Sequence, residues 1–138
     1  MKRDTRSLAT ALQARYADDE SISVRLVEGA DPAINVTMHD YGDMDIQIVA
    51  SEDQILVSTN LVDASQVSDT AGLNEAALLL NPINPLSNIG LVAHDGRKTY
   101  VVFGELSSLS SLDAVDEEIR ILAENTIDAA QSLKSFFV

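Results

Sequence analysis

The feature that most constrains this fold is the change in hydrophobic periodicity along the chain. Apolar residues recur every three or four positions near the N-terminus, around residue 75 and near the C-terminus, and every second position in the stretches between. The first spacing is typical of a helix with one buried face, and the second of a strand with one buried face. Because successive strands follow one another without helices between them, we predict an α+β protein with an antiparallel sheet rather than a doubly wound parallel one.

The same periodicity predicts the order of the elements. Helical spacing covers residues 5–17, 70–80 and 112–136, while alternating segments cover 22–27, 34–39, 44–49, 89–93 and 100–103. The run from Ile55 to Val62 is apolar and β-branched, so the early sheet has three strands, or four if this run forms its own. The expected order is therefore α-β-β-β(-β)-α-β-β-α, with helices flanking the sheet. No repeat or linker divides the chain, which predicts one domain over residues 1–138.

Two glycines mark an expected turn and a helix start. Asp95-Gly96 is a strong signal for a tight hairpin turn and is expected to need positive φ at the glycine, so Gly96→Val should be costly. Gly72 begins the second helix, so we expect Gly72→Ala to be tolerated or stabilising.

The closing helix carries the longest apolar stripe. We expect five acidic residues to occupy its solvent side: Asp116, Glu117, Glu118, Glu124 and Asp128. The stripe either covers the sheet of its own domain or pairs with a second subunit, and we predict a homodimer in which Leu122, Ala129, Leu133 and Phe136 make the contact. The terminal Phe136-Phe137-Val138 is expected to pack on its own domain.

Composition limits the classes of partner. The chain has nine basic and 22 acidic residues and a net charge of -13, which disfavours contact with nucleic acid or insertion into anionic membranes. Without cysteine it has no disulfide and no thiolate metal ligand. No signal-peptide core follows the basic N-terminus, and the apolar run from Ala76 to Leu80 is too short to span a bilayer. We therefore expect a cytoplasmic protein.

No catalytic motif is apparent. His39-Asp40 and His94-Asp95 would be the ligands of a small metal-dependent hydrolase if folding brought them together, and this is the alternative function. Both pairs lie where strands run into turns, so we interpret them as turn residues. The chain also lacks a complete calcium loop, a Gly-x-Ser-x-Gly elbow and a phosphate-binding glycine loop. We expect a non-catalytic protein with no metal and no cofactor, which acts by binding another protein.

The order of elements resembles the type III secretion chaperone-like fold. More narrowly, the loop from Asn84 to Gly90 and the segment from Ala123 to Asp128 resemble the YjfI-like family of bacterial proteins of unknown function. This resemblance implies a cytosolic and dimeric protein that offers its sheet and helices to partner polypeptides. It also implies a genomic association with phage-shock-protein-A-like envelope-stress proteins. The possible fourth strand, Ile55 to Val62, departs from the simplest chaperone pattern.

Overall fold

The computed structural model describes residues 2–138 as three helices and six strands. The helices are α1 (Thr5–Arg15), α2 (Thr70–Leu80) and α3 (Leu112–Leu133). The strands are β1 (Ile22–Val27), β2 (Ala33–Met38), β3 (Met44–Ala50), β4 (Gln54–Asp63), β5 (Asn88–His94) and β6 (Arg97–Ser107). The α+β class and the predicted element order are confirmed, and the run from Ile55 to Val62 lies within a strand of its own, β4.

All six strands form one antiparallel sheet in the order β1-β2-β3-β4-β6-β5. The first four strands form a meander. The chain then passes through α2 to reach the far edge as β5, and β6 returns between β4 and β5. Strands β1 and β5 are therefore the two edges of the sheet.

The helices cover one face of this sheet. Alternate residues of the strands point toward them, as the pairs Ile34–Ile48, Ile48–Val57 and Ile89–Val102 illustrate. Helix α1 contacts β1–β3, α3 contacts β4 and β6, and α2 contacts β5. The helices and strands share one hydrophobic core, whose fully buried members include Leu8, Leu12, Leu73, Ile119 and Leu122.

A polar side chain caps the start of each helix. Asp4 caps α1 by accepting from the Ser7 N–H at 2.7 Å, and Ser111 caps α3 by accepting from the Ala114 N–H at 3.1 Å. Asp69 caps α2 through the Gly72 N–H at 3.0 Å. These contacts satisfy backbone donors that have no partner within the helix.

The glycine predictions have different outcomes. Asp95 and Gly96 have φ values of 49° and 77°, which confirms the tight β5–β6 turn and the positive φ at Gly96. The structure argues against the expectation that Gly72→Ala is tolerated, because an added methyl group would overlap the Asp69 carboxylate and lie 2.8 Å from the Phe136 ring, so these side chains would have to shift. Residue 72 must be small because the cap and the C-terminal aromatic residue occupy the space around it.

Helix α3 ends at Leu133, three residues before the predicted end, and a short 3₁₀ turn covers Lys134–Phe136. Phe136 and Phe137 pack against the core. The backbone continues alongside residues 66–68, where the Ser68 N–H donates to the Phe136 carbonyl at 2.8 Å and the Val138 N–H to the Gln66 carbonyl at 2.7 Å. The terminal aromatic residues pack on their own chain, as predicted.

Candidate functional site: an uncharged surface beside helix α2 and strand β5

The structure corrects the residues predicted for a dimer contact. Leu122, Ala129 and Leu133 are buried beneath α3, and Phe136 packs partly buried against the same core. The stripe of α3 therefore covers the sheet, which was the other interpretation of its spacing. A second subunit cannot reach Leu122, Ala129 or Leu133 without opening the core.

The two His-Asp pairs do not come together. His39 follows β2 and His94 ends β5, and four strand spacings of about 4.8 Å separate these strands in the sheet. Within residues 2–138, no group of three or more His, Asp or Glu side chains is arranged to hold a metal ion. The residues named for a metal-dependent hydrolase thus form no common site.

His39 instead takes part in a contact that the sequence did not predict. One ring nitrogen, Nε2, lies 2.7 Å from Ser23 Oγ, and the other, Nδ1, lies 2.7 Å from Asp43 Oδ1. This is the order of groups found in a serine hydrolase triad. Ser23 lies on edge strand β1 on the sheet face away from the helices, and all three residues are exposed. The contact ties β1 to the turn between β2 and β3.

The most distinctive surface lies at the opposite edge of the sheet. Residues 76–93 contain no Asp, Glu, Lys, Arg or His, although 22% of the chain is charged. This segment comprises the second half of α2, the following loop and nearly all of β5. Its exposed side chains include Leu78 (70% exposed), Ile83 (75%), Leu86 (54%) and Leu91 (47%). We call the exposed part of residues 76–93 the uncharged surface.

A cleft of about 320 Å³ lies within the uncharged surface, between α2 and β5. Leu78 and Leu91 line its two sides. Tyr100 also lines it and is buried, with its hydroxyl donating to Asn74 Oδ1 at 2.5 Å. Because β5 is an edge strand, its outer backbone N–H and C=O groups have no neighbouring strand in the sheet. The Asn81 side chain already bonds the outer backbone groups of Ile89, so the cleft combines apolar walls with a strand edge that is open beyond Ile89. These are the features that an added peptide segment uses.

Two asparagines hold the loop of residues 82–87, which we call the 82–87 loop. The Asn81 side chain accepts from the Ile89 N–H at 2.7 Å and donates to the Ile89 carbonyl at 3.2 Å. Asn125 of α3 donates to the Pro85 carbonyl at 2.7 Å and to Ser87 Oγ at 3.0 Å. The loop and the closing-helix segment that carried the family resemblance are therefore in direct contact.

Beneath this loop lies a buried acid. The sequence placed Glu118 on the solvent side of α3, and this is wrong, because its residue is only 3% exposed and its Oε1 atom has no hydrogen-bond partner. Burial, with a smaller contribution from the charge of Glu117, raises the pKa of Glu118 from its ordinary value to about 7. The carboxyl group occupies the space above Gly104 of β6 that a side chain there would fill.

The spacing of α3 did contain a signal for this burial. Glu118 lies three residues after Val115 and four before Leu122, both of which face the core. These intervals place it on the buried face of the helix. The uncharged surface likewise had a signal, the longest run of the chain without a charged residue.

Similar proteins give the family and the fold. A family described as "Uncharacterized protein conserved in bacteria (DUF2170)" matches residues 2–137. The chain is 32% identical over 130 residues to the uncharacterized protein YjfI of Escherichia coli strain K12, covering 94% of each protein, with the same values for YjfI of strain O157:H7. Within residues 2–138, no helix has the length and apolar character needed to cross a membrane.

Solved structures add a likeness in fold. An uncharacterized protein from Methanothermobacter thermautotrophicus superposes with a TM-score of 0.60 at 15% identity, covering 94% of this chain and 99% of the other. The heterodimeric ExoU–SpcU complex from the type III secretion system of Pseudomonas aeruginosa gives a TM-score of 0.46 at 17% identity, covering 79% and 81%. Because the family model matches residues 2–137 and YjfI aligns with 94% of the chain, the chain belongs to the YjfI-like DUF2170 family.

Proposed function

We propose that this protein is a non-catalytic, cytoplasmic adaptor or chaperone that binds another polypeptide through the uncharged surface. The observation that carries the proposal is the combination of exposed apolar side chains, the cleft between α2 and β5, and the unpaired edge of β5. Exposed apolar area in one continuous segment is typical of protein contact sites. The acidic surface around it favours a partner with basic residues beside its apolar ones.

The geometry favours an extended partner segment. A strand added to β5 would pair with the outer backbone groups beyond Ile89 and place every second side chain toward α2. Leu78 and Leu91 would then contact these side chains from opposite sides of the cleft. The family resemblance makes a phage-shock-protein-A-like protein the first partner to test.

Photo-crosslinking in cells tests this assignment. A photoreactive amino acid replaces Leu78 on the uncharged surface in one variant and Gln13, which is exposed on α1, in a matched control. We expect a specific crosslinked partner from position 78 and not from position 13, and we expect Leu91→Glu to abolish that crosslink in a protein that still folds. Equal crosslinking from both positions, or a crosslink that persists in Leu91→Glu, would contradict the proposed surface.

We also propose that the free protein is a homodimer, with a different contact from the one expected on α3. Two chains of charge -13 repel each other wherever their carboxylates meet, and the uncharged surface is a place where two copies can meet without this penalty. Sedimentation at micromolar concentration should give a dimer for the wild type and a monomer for Leu91→Glu. A wild-type monomer would remove this part of the proposal and leave partner binding in place.

A second candidate, ester hydrolysis by Ser23, is favoured by one observation, the two 2.7 Å contacts of His39. Efficient acyl transfer also needs oxyanion donors and a site that excludes water. Ser23 is exposed on an open sheet face, so we expect hydrolysis of p-nitrophenyl acetate to be the same in wild type and Ser23→Ala. Activity that is lost in Ser23→Ala and in His39→Ala would replace the binding proposal with an enzymatic one.

A further inference from the structure

Glu118 lies at the junction of α3, β6 and the 82–87 loop. A methyl group added to Gly104 would overlap the Glu118 carboxyl group and lie 2.8 Å from the Leu86 carbonyl oxygen. The carboxyl group and this carbonyl therefore face the same small space. Both are acceptors when the acid is ionised, and two acceptors facing each other in a buried site repel.

One added proton changes this contact. A neutral carboxyl group has an O–H that donates, and the Leu86 carbonyl is an acceptor beside it. We propose that Glu118 is a proton-dependent latch, which holds the 82–87 loop on β6 by donating to the Leu86 carbonyl when neutral and releases the loop when ionised.

The groups around Glu118 do not stabilise its ionised form. Its own helix contributes Glu117, which disfavours ionisation further. The helix-facing neighbours of Gly104 along β6 are Val102 and Leu106, and its partner on β4 is Val57. The 82–87 loop has no charged residue. With no cation among these groups, the folded protein holds the proton to a higher pH than a solvated glutamate would.

The loop is built so that release would change its shape. Leu86 has a φ of 64°, a conformation that costs energy for a leucine and that the surrounding contacts must maintain. On one side the Asn125 amide holds Pro85 and Ser87. Glu118 acts at the residue between them, so losing its hydrogen bond removes support at the strained position. Ile83 and Leu86 of this loop belong to the uncharged surface, so the effect of the latch on binding rests on the proposed function.

NMR titration of the full chain from pH 5 to 8.5 tests the latch. We expect the Glu118 carboxyl to titrate near pH 7. The backbone amides of residues 83, 84 and 86–88 and the Asn125 side-chain amide should shift with the same midpoint. After correction for intrinsic rates, hydrogen exchange of these loop amides should rise about tenfold from pH 6 to pH 8. In Glu118→Gln, which donates without titrating, both changes should disappear.

Glu124→Gln is the matched control, because it removes an exposed acid from the same helix. It should leave the midpoint and the loop shifts as in the wild type. A Glu118 midpoint below about pH 5, or loop amides that do not follow the Glu118 titration, would overturn the latch. If the latch titrates while the position-78 crosslink shows no partner, the proposed function fails and the latch stands. If the crosslink is specific while the loop does not titrate, the latch fails and the proposed function stands.

Discussion

At both edges of the sheet a helix packs on the edge strand, but the exposed surfaces of the two edges differ in charge. At one edge α1 packs on β1, and at the other α2 packs on β5. Around α1 the surface carries ion pairs, with Arg6 3.2 Å from Glu28 and Arg15 2.8 Å from Asp113. From residue 76 to residue 93, the α2–β5 edge carries no charge. The comparison teaches that core formation does not explain the apolar character of the second edge, since the first achieves the same burial with a charged exterior.

The largest expected effect is the same at both edges. Leu12 of α1 and Leu73 of α2 are fully buried, so Leu12→Ala and Leu73→Ala should each lower the free energy of unfolding by about 3 kcal/mol. Denaturant unfolding measures both. A much smaller loss for Leu73→Ala would break the comparison, because it would mean that α2 contributes little to the core.

The next effect concerns pH and distinguishes the buried acid from the exposed ones. Glu118 has its pKa raised from 4.5 to about 7 on folding, so the folded chain keeps a proton that the unfolded chain has released between these values. Its contribution to stability is fully present below pH 4.5 and is lost as the pH rises through 7. Glu118→Gln should therefore exceed the wild type in stability by about 3 kcal/mol at pH 8 and match it near pH 4.

Thermal or urea unfolding across this pH range measures the difference, with Glu124→Gln as the control that should follow the wild type. Asp4 and Asp19 behave in the opposite sense, because hydrogen bonds from Ser7 and Ser21 lower the pKa of each. Their contributions are lost as the pH falls through those lowered values. A difference between Glu118→Gln and wild type that is constant with pH would show that the mutation acts by packing alone.

Substitutions of turn glycines should lower stability by a smaller amount, which we expect to be equal in the β2–β3 and β5–β6 turns. Gly42, between β2 and β3, and Gly96, between β5 and β6, have φ values of 67° and 77° with open space around each. Gly42→Val and Gly96→Val should each cost about 1–2 kcal/mol, because valine disfavours positive φ. Melting temperatures of the two variants measure this. An unequal pair would identify one hairpin as more adaptable than the other.

The smallest effects are expected on the exposed faces. Arg6→Ala removes the exposed ion pair with Glu28, and Leu79→Gln removes an exposed apolar side chain from α2. Both variants should melt at the same temperature as the wild type, because exposed ion pairs and exposed leucines add little to stability. A clear loss of stability in Leu79→Gln would indicate that the uncharged surface is part of the monomer's own packing, which would weaken its assignment to a partner.

Much of the fold followed from local patterns. Periodicity located the helices and strands, and Asp95-Gly96 located a turn. These features depend on interactions within a few residues, which the sequence states directly. The end of α3 was predicted three residues too late, because Phe136 continues the apolar spacing although the backbone has already turned to run beside residues 66–68.

By itself, then, the sequence determined the α+β class, the order of elements, the family and the excess of acid on the surface. Only the tertiary structure decided whether the apolar stripe of α3 covers its own sheet or contacts a second subunit. Leu122 and Leu133 are buried in the core of the chain. The tertiary structure also brought Asn125 to the 82–87 loop and placed Glu118 above Gly104. These contacts join residues 14 to 40 positions apart, and no local spacing specifies such a distance. The spacing of α3 puts Glu118 on the core side, but its carboxyl group fills a space left by a glycine on another element. That space exists only once the sheet and helix have packed.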